Sequence, residues 1–472
     1  MTTDGPPFDT VIANADVVTE TGVHAVDVAL KDGKVAALVA RGVPLLASER
    51  IDASGKLLLP GAVDIHFHCR APAYPERGDF ATETRAAAAG GVTTVFEMPI
   101  SKPCCATGDI FRARRALGEA NAYVNFALFG APGLMKRQEV HAMADEGAIG
   151  FKIFMTAAPA GRDDEFDGLC LPSSDRLFEG LKLVAETGLV CAVHAEDNAL
   201  LEWHTAQLKS AGRNDVRAHN ESRPPHVEAL AIATLMTLNE SIGVNLHIVH
   251  VSSREALETF NRFKRTGSTA SAETCTHYLL FTEQDMERTG PYAKINPPLR
   301  TREDQEAVWQ GLRDRSLMAI TTDHSPFTAE EKERARTDLW RTPPGSPGVE
   351  ELVLAVMDFA LTGKLDLLHA VQLMSTNGAK RYGIYPQKGV IAVNSDADLV
   401  IYDPNTTTTI AQDMLFSKAK ACDKLYEGMT FQGKVLRTIV NGRTVFHDGQ
   451  VIGEPGWGRF VRPVRENIYK GF

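Results

Sequence analysis

Residues 63–72 read VDIHFHCRAP. His66 and His68 stand two apart at the end of an apolar run, and Arg70 follows two residues later. On a β-strand, residues i, i+2 and i+4 share one face. The spacing therefore aims two imidazoles and a guanidinium in one direction. Two converging imidazoles suit a metal ion, and a guanidinium fork beyond them suits a carboxylate. A lone histidine at a strand end is more often a hydrogen-bonded core or rim residue. The metal reading therefore rests on whether other ligands are placed by the same rule.

The elements that must position them begin near residue 57. Eight short apolar runs follow as far as about residue 385: AVDIHF, VTTVFEM, YVNFALFG, AIGFKIFM, LVCAVHA, VNLHIVHV, STASAET and LMAITTD. Helix-like stretches such as SSDRLFEGLKLVAETG and HVEALAIATLMTLNESIG separate them. Eight strand–helix repeats predict a (β/α)8 barrel, with a doubly wound sheet as the alternative. A barrel carries its chemistry at the C-terminal ends of the strands. The residues there are His66, His68, Lys152, His194, His250 and Asp323. Imidazole and carboxylate suit zinc, with manganese, iron or cobalt as alternatives. Two such ions about 3.5–4 Å apart form a hydrolytic arrangement.

Lys152 is the unexpected member, because an ammonium repels cations and burial disfavours its charge. It is either a snorkelling rim lysine or a neutral amine that has taken up carbon dioxide, whose carbamate would bridge two metals. His247, three residues before His250, is expected on the opposite face with a structural role. His277 and His324 are not placed as ligands.

The flanks have a different texture. TVIANADVVTE and VDVALKDGKVAALVA alternate around a KDGK turn, and DADLVIYDP and KVLRTIVNGRTVFHDGQVI alternate with NG and DG turns. Both ends are expected to pair into one small discontinuous β-sandwich. The expected division is 1–56 and 388–472 for the sandwich and 57–387 for the barrel. The tail, GEPGWGRFVRP, has too little periodicity to assign.

Length and composition allow a large core. The chain has 472 residues, 44% of them apolar, and a formal net charge of −10. No basic cluster stands out, which argues against a nucleic-acid surface. Seven cysteines without CxxC spacing fit reduced thiols in a cytosolic protein. The opening MTTDGPPFDT lacks a basic and then apolar leader. No run approaches 18 apolar residues, so no membrane span is expected.

The stretches DIHFH, GFKIFM, VHAED, IVHVSS and TTDHSPF, with GIYPQKG and SDADLVIYDP after them, resemble the cyclic amidohydrolases. These are the hydantoinases, dihydropyrimidinases, allantoinases and dihydroorotases, and the likeness spans nearly the whole chain. It implies a barrel with a β-sandwich, two zinc ions and an N6-carboxylated Lys152. By motif, His66, His68, Lys152 and Asp323 would hold one metal, and Lys152, His194 and His250 the other. The nucleophile would be a hydroxide shared by the two cations, and Asp323 would pass its proton to the leaving ring nitrogen. The cysteines, Cys69 included, would be bystanders. The family also implies a homodimer or homotetramer.

The ring to be opened is less determined. HFHCRAP and KINPPLR resemble dihydroorotases, with Arg70 on a substrate carboxylate and Asn296 near the substrate. Ile100 and Phe327 stand where that subfamily has an asparagine and a histidine. Phe327 is either a substrate-facing aromatic or loop packing. GGVTTVFEMP, VNFALFG and TGPYAKI look more like hydantoinases and allantoinases, yet Ala157 stands near the tyrosine position of a D-hydantoinase. Arg70 alternatively braces the loop by pairing with Glu97 or Asp79. The expected substrate is a hydantoin- or allantoin-type cyclic amide or ureide. A carboxylate-bearing ring such as dihydroorotate is the close alternative. An exocyclic amide or imide, or a non-catalytic scaffold, stands behind these.

Overall fold

The computed structural model describes residues 7–159 and 161–472. Residues 1–6, part of the segment assigned to the sandwich, lie outside the described residues. The eight apolar runs form eight strands: β1 (Ala62–Phe67), β2 (Val92–Glu97), β3 (Asn125–Gly130), β4 (Gly150–Phe154), β5 (Val190–His194), β6 (Asn245–Ile248), β7 (Ser271–Cys275) and β8 (Ala319–Thr321). They pair in parallel and in chain order. These strands read as continuous apolar runs because helices cover one face and the barrel interior fills the other. All five residues of β5 are buried.

Strands β1 and β8 close the ring. Phe67 bridges His324, the His68 N–H donates to the His324 carbonyl at 2.9 Å, and the Thr322 hydroxyl donates to Asp64. Closure selects the barrel over the doubly wound sheet. Helices return between strands, several started by side-chain caps: Asp79, Thr107, Asp197, Ser253 and Thr301 each accept from the first helical turn.

The two chain ends build a curled ten-stranded sheet. Its Gly22–Lys31 and Lys34–Ala40 strands form the KDGK hairpin, with Asp32 and Gly33 both at positive φ, as a tight two-residue turn requires. Leu57–Pro60, read from the sequence as the entry to the barrel, sits in this sheet, antiparallel to Leu399–Tyr402. It stitches the N-terminal strands to the C-terminal ones. Ile12, Val28, Leu58, Leu399 and Ile439 share its core. The Asp398 carboxylate joins sheet to barrel, accepting from Lys388 at 2.6 Å and from Asn125 of β3 at 3.0 Å. The unassigned tail docks on the barrel: the Phe126 N–H donates to the Arg459 carbonyl at 3.0 Å, and the Gly458 N–H to Ala122 at 2.9 Å.

Among the described residues, no helix is long and apolar enough to cross a membrane.

Candidate active site at the C-terminal mouth of the barrel

His66, Lys152 and His194 stand on strands β1, β4 and β5. His68, His250 and Asp323 come just beyond the ends of β1, β6 and β8. The backbone of His250 and Asp323 is left-handed, with φ of 43° and 46°, and Arg70 has φ of 65°. Non-glycine residues rarely hold such a conformation, and they cluster at functional sites. Since β1 stops at Phe67, strand alternation does not carry Arg70 to the shared face. Its left-handed turn does.

The six residues converge. His66 Nε2 and His68 Nε2 each lie 3.2 Å from Asp323 Oδ1, and Lys152 Nζ lies 3.5 Å from His66 Nε2. His194 Nδ1 faces His250 Nε2 at 2.9 Å, and the His66 and His250 rings are 5.3 Å apart. One donor atom each from His66, His68 and Asp323 lies within 4.8 Å of the others.

Hydrogen bonding decides which imidazole nitrogens are free. His66 Nδ1 faces Glu273 Oε1 at 2.7 Å, and His194 Nε2 faces Glu196 Oε2 at 2.8 Å. A carboxylate acceptor fixes the proton on those nitrogens, leaving His66 Nε2 and His194 Nδ1 as bare lone pairs. His66 Nε2 thus meets the Asp323 carboxylate acceptor against acceptor. A cation resolves that contact, so the donor set fits metal binding. Burial holds His66, His68 and His250 well below the ordinary histidine range, helped by Lys152 or Arg70, so all three imidazoles are neutral. Burial also draws Lys152 down to about 8, against the pull of Glu273 and Asp323. It raises Asp323, against His277 and Lys152.

Several supporting residues were not singled out from the sequence. Glu273, on β7, serves two rings, since Oε2 also lies 3.0 Å from His247 Nε2. His247 is structural, as expected, but it does not point away. It lies inside the barrel beneath His66, because the chain leaves β6 at Ile248 and turns at His250, which breaks strand parity. Glu196 also takes Arg223 Nη1. Burial would raise its carboxyl, but Arg223 and His194 outweigh that and hold it well below the usual range. His324 contacts Glu83 Oε2 at 2.9 Å, outside the ligand set. Cys69 is buried, and its N–H donates to Glu97 at 2.7 Å.

A cavity of about 490 Å³ opens over these residues, walled by Ile100, Phe154, Phe166, Leu201 and Trp340. Phe154 stacks flat on His194 with centroids 4.4 Å apart. Arg70 lines the cavity and is 3% exposed. Its Nη2 donates to Ser325 Oγ, while Nε and Nη1 have no partner among the described residues. It pairs with neither Glu97 nor Asp79, the two carboxylates of the alternative in which it braces the loop. Glu97 instead accepts from Cys69, and Asp79 caps a helix. Asn296 lines the cavity with Oδ1 buried and unpartnered. Phe327 lies behind the wall, with Arg70 4.6 Å above its ring and Arg77 5.0 Å away.

Comparison with known proteins follows the same lines. The amidohydrolase family model matches residues 57–445. An L-hydantoinase of Paenarthrobacter aurescens is 35% identical over 96% of this chain and 98% of its own. An allantoinase of Rubrobacter xylanophilus is 37% identical over 97% of this chain and 98% of its own. The solved L-hydantoinase (dihydropyrimidinase) from Arthrobacter aurescens superposes with a TM-score of 0.91 at 34% identity, covering 96% of this chain and all of that one. A solved D-hydantoinase gives 0.89 at 31% identity over 96% of this chain and 99% of its own.

Proposed function

The chain belongs to the amidohydrolase family, and from that premise we propose that it opens a hydantoin- or allantoin-type ring by hydrolysis at a two-cation centre. The observation that carries the reading is the convergence of four imidazoles, Lys152 and Asp323 on one cavity, with the bare Nε2 of His66 facing the Asp323 carboxylate and the bare Nδ1 of His194 facing His250. His66, His68, Lys152 and Asp323 would hold one cation, and Lys152, His194 and His250 the other. Zinc suits this donor set, with manganese, iron or cobalt as alternatives. Lys152 serves as an N6-carboxylysine formed with carbon dioxide. Its depressed proton affinity supplies the neutral amine that step needs. When bound, such cations make water nucleophilic near neutral pH and polarise a carbonyl.

The chain's own groups do the rest. Asp323, raised by burial, accepts the proton of the attacking water and returns it to the leaving ring nitrogen. Glu273 and Glu196 fix the tautomers of His66 and His194. The apolar wall of Ile100, Phe154, Phe166 and Leu201 excludes bulk water and seats the ring substituent. Asn296 and Arg70 are the polar contacts for the ring, and Phe327 supports Arg70 from behind.

A second reading is favoured by one observation. Arg70 lines the cavity, and two of its guanidinium nitrogens are buried without a partner among the described residues, which suits a ring bearing a carboxylate, as in dihydroorotate. The scaffold alternative loses its support, since all six ligand-type residues converge. An assembly of two or four copies and a cytosolic setting are proposed alongside. The first rests on the likeness, the second on seven unpaired cysteines. The test is to strip the protein with a chelator and restore zinc with bicarbonate. Ring opening should vanish and return, and activity unaffected by full metal removal would refute the proposal.

A further inference from the structure

Away from the barrel mouth, two imidazoles meet on the outer surface. His204 stands on the helix Asn198–Ser210, and His226 opens the helix Pro225–Ile242. Their Nε2 atoms lie 3.1 Å apart. His226 is exposed and His204 half-buried. We propose that His204 and His226 form a peripheral site for a first-row divalent transition-metal ion, separate from the catalytic centre.

The geometry carries the inference. Imidazole–metal bonds of about 2.0–2.1 Å at angles between square-planar and tetrahedral place two nitrogens about 2.8–3.4 Å apart. The observed 3.1 Å falls inside that span. The two helices are already held in register. The Asp197 N–H donates to the Val227 carbonyl at 3.0 Å, and the Asp197 side chain caps the first helix. The nitrogens therefore need no large rearrangement to chelate. Burial and the neighbouring His226 hold His204 below its ordinary value, so its ring is neutral at pH 7. Without metal, one ring donates its Nε2 proton to the other. On binding, that proton moves to Nδ1 of the same ring, so no net proton leaves. Water fills the remaining coordination positions.

The position gives the site a consequence. Leu201, Glu202 and Thr205 of the same helix line the catalytic cavity. A cation on His204 and His226 would pin that wall from outside to a barrel helix. Trp203, 57% exposed, sits edge-on to His204 with centroids 4.8 Å apart, and so reports on the site.

The test titrates zinc-loaded protein with Cu2+, the strongest binder of the series, while following tryptophan fluorescence and the copper spin-resonance signal of nitrogen ligation. The parent should show a saturable quench with nitrogen-ligated copper. His204→Ala and His226→Ala should each weaken it about 10- to 100-fold. Trp203→Phe should keep the bound copper and lose most of the quench. If both histidine variants titrate as the parent does, or if the parent shows no nitrogen-ligated copper, the site does not exist. Neither result bears on ring opening.

Discussion

His194 Nδ1 and His250 Nε2 face one another across 2.9 Å. His194 Nε2 is committed to Glu196, so the nitrogen turned toward His250 carries a lone pair. Two strands deliver that pair, and a cation is its natural partner. His250→Ala should therefore lower metal content by one equivalent while the fold survives. Metal analysis and circular dichroism on the same sample check this, and undiminished metal would remove His250 from the ligand set.

Lys152 should be indispensable for both ions. Lys152→Ala is expected to lose metal and activity together, and a short carboxylate such as acetate should restore part of both. A metal-loaded, active Lys152→Ala protein with no added carboxylate would contradict the bridging role.

Glu196 acts through His194, not on substrate. Glu196→Gln keeps the shape but frees the tautomer choice and leaves Arg223 without its carboxylate. Metal affinity should fall about 10- to 100-fold, with activity regained at high metal concentration. Competition against a chromogenic chelator reads the affinity. An unchanged value would make the contact merely structural.

Arg70 discriminates between the two substrate readings. Arg70→Ala should reduce kcat/KM on a carboxylate-bearing ring far more than on plain hydantoin, by about 10- to 100-fold for a lost charge-assisted contact worth about 1.5–3 kcal/mol. Equal losses on both rings would assign Arg70 to structure. Arg70→Lys should not rescue, because an ammonium lacks the planar fork.

Acid should loosen the cavity wall through Glu165. Burial tends to raise this carboxyl, but hydrogen bonds and charge from Arg162 outweigh it and bring it from 4.5 to about 2. A carboxyl depressed on folding stabilises above its unfolded value and loses that contribution as pH falls from about 4.5 toward 2. The full contribution is about 3 kcal/mol. Unfolding of metal-free protein should show a weaker acid dependence in Glu165→Gln than in the parent. An identical pH profile would refute the assignment.

The barrel, and the convergence of six ligand-type residues at its mouth, were legible in the chain because burial on both faces makes each strand a continuous apolar run. These residues end those runs by the logic of the fold. What failed depended on local backbone. Strand parity places His247 on the opposite face from His250, yet β6 ends at Ile248 and His250 adopts a left-handed φ, so both rings point inward. Glu273 lies within STASAET like any buried strand residue, and only the folded register brings it to His66 and His247. The alternative pairing of Arg70 with Glu97 or Asp79 does not form either. Those carboxylates are consumed by a backbone N–H and a helix cap. Leu57–Pro60 is apolar like the barrel strands, and its place in the other sheet follows from a partner more than 300 residues away.

A ring-opening panel on zinc-loaded protein tests the central claim most directly. It would compare allantoin, dihydrouracil, L-dihydroorotate and both enantiomers of a 5-substituted hydantoin, each with and without chelator. The account predicts that a hydantoin or allantoin is opened, and that chelation abolishes the reaction. Protein holding two metal ions that opens none of these rings would contradict it.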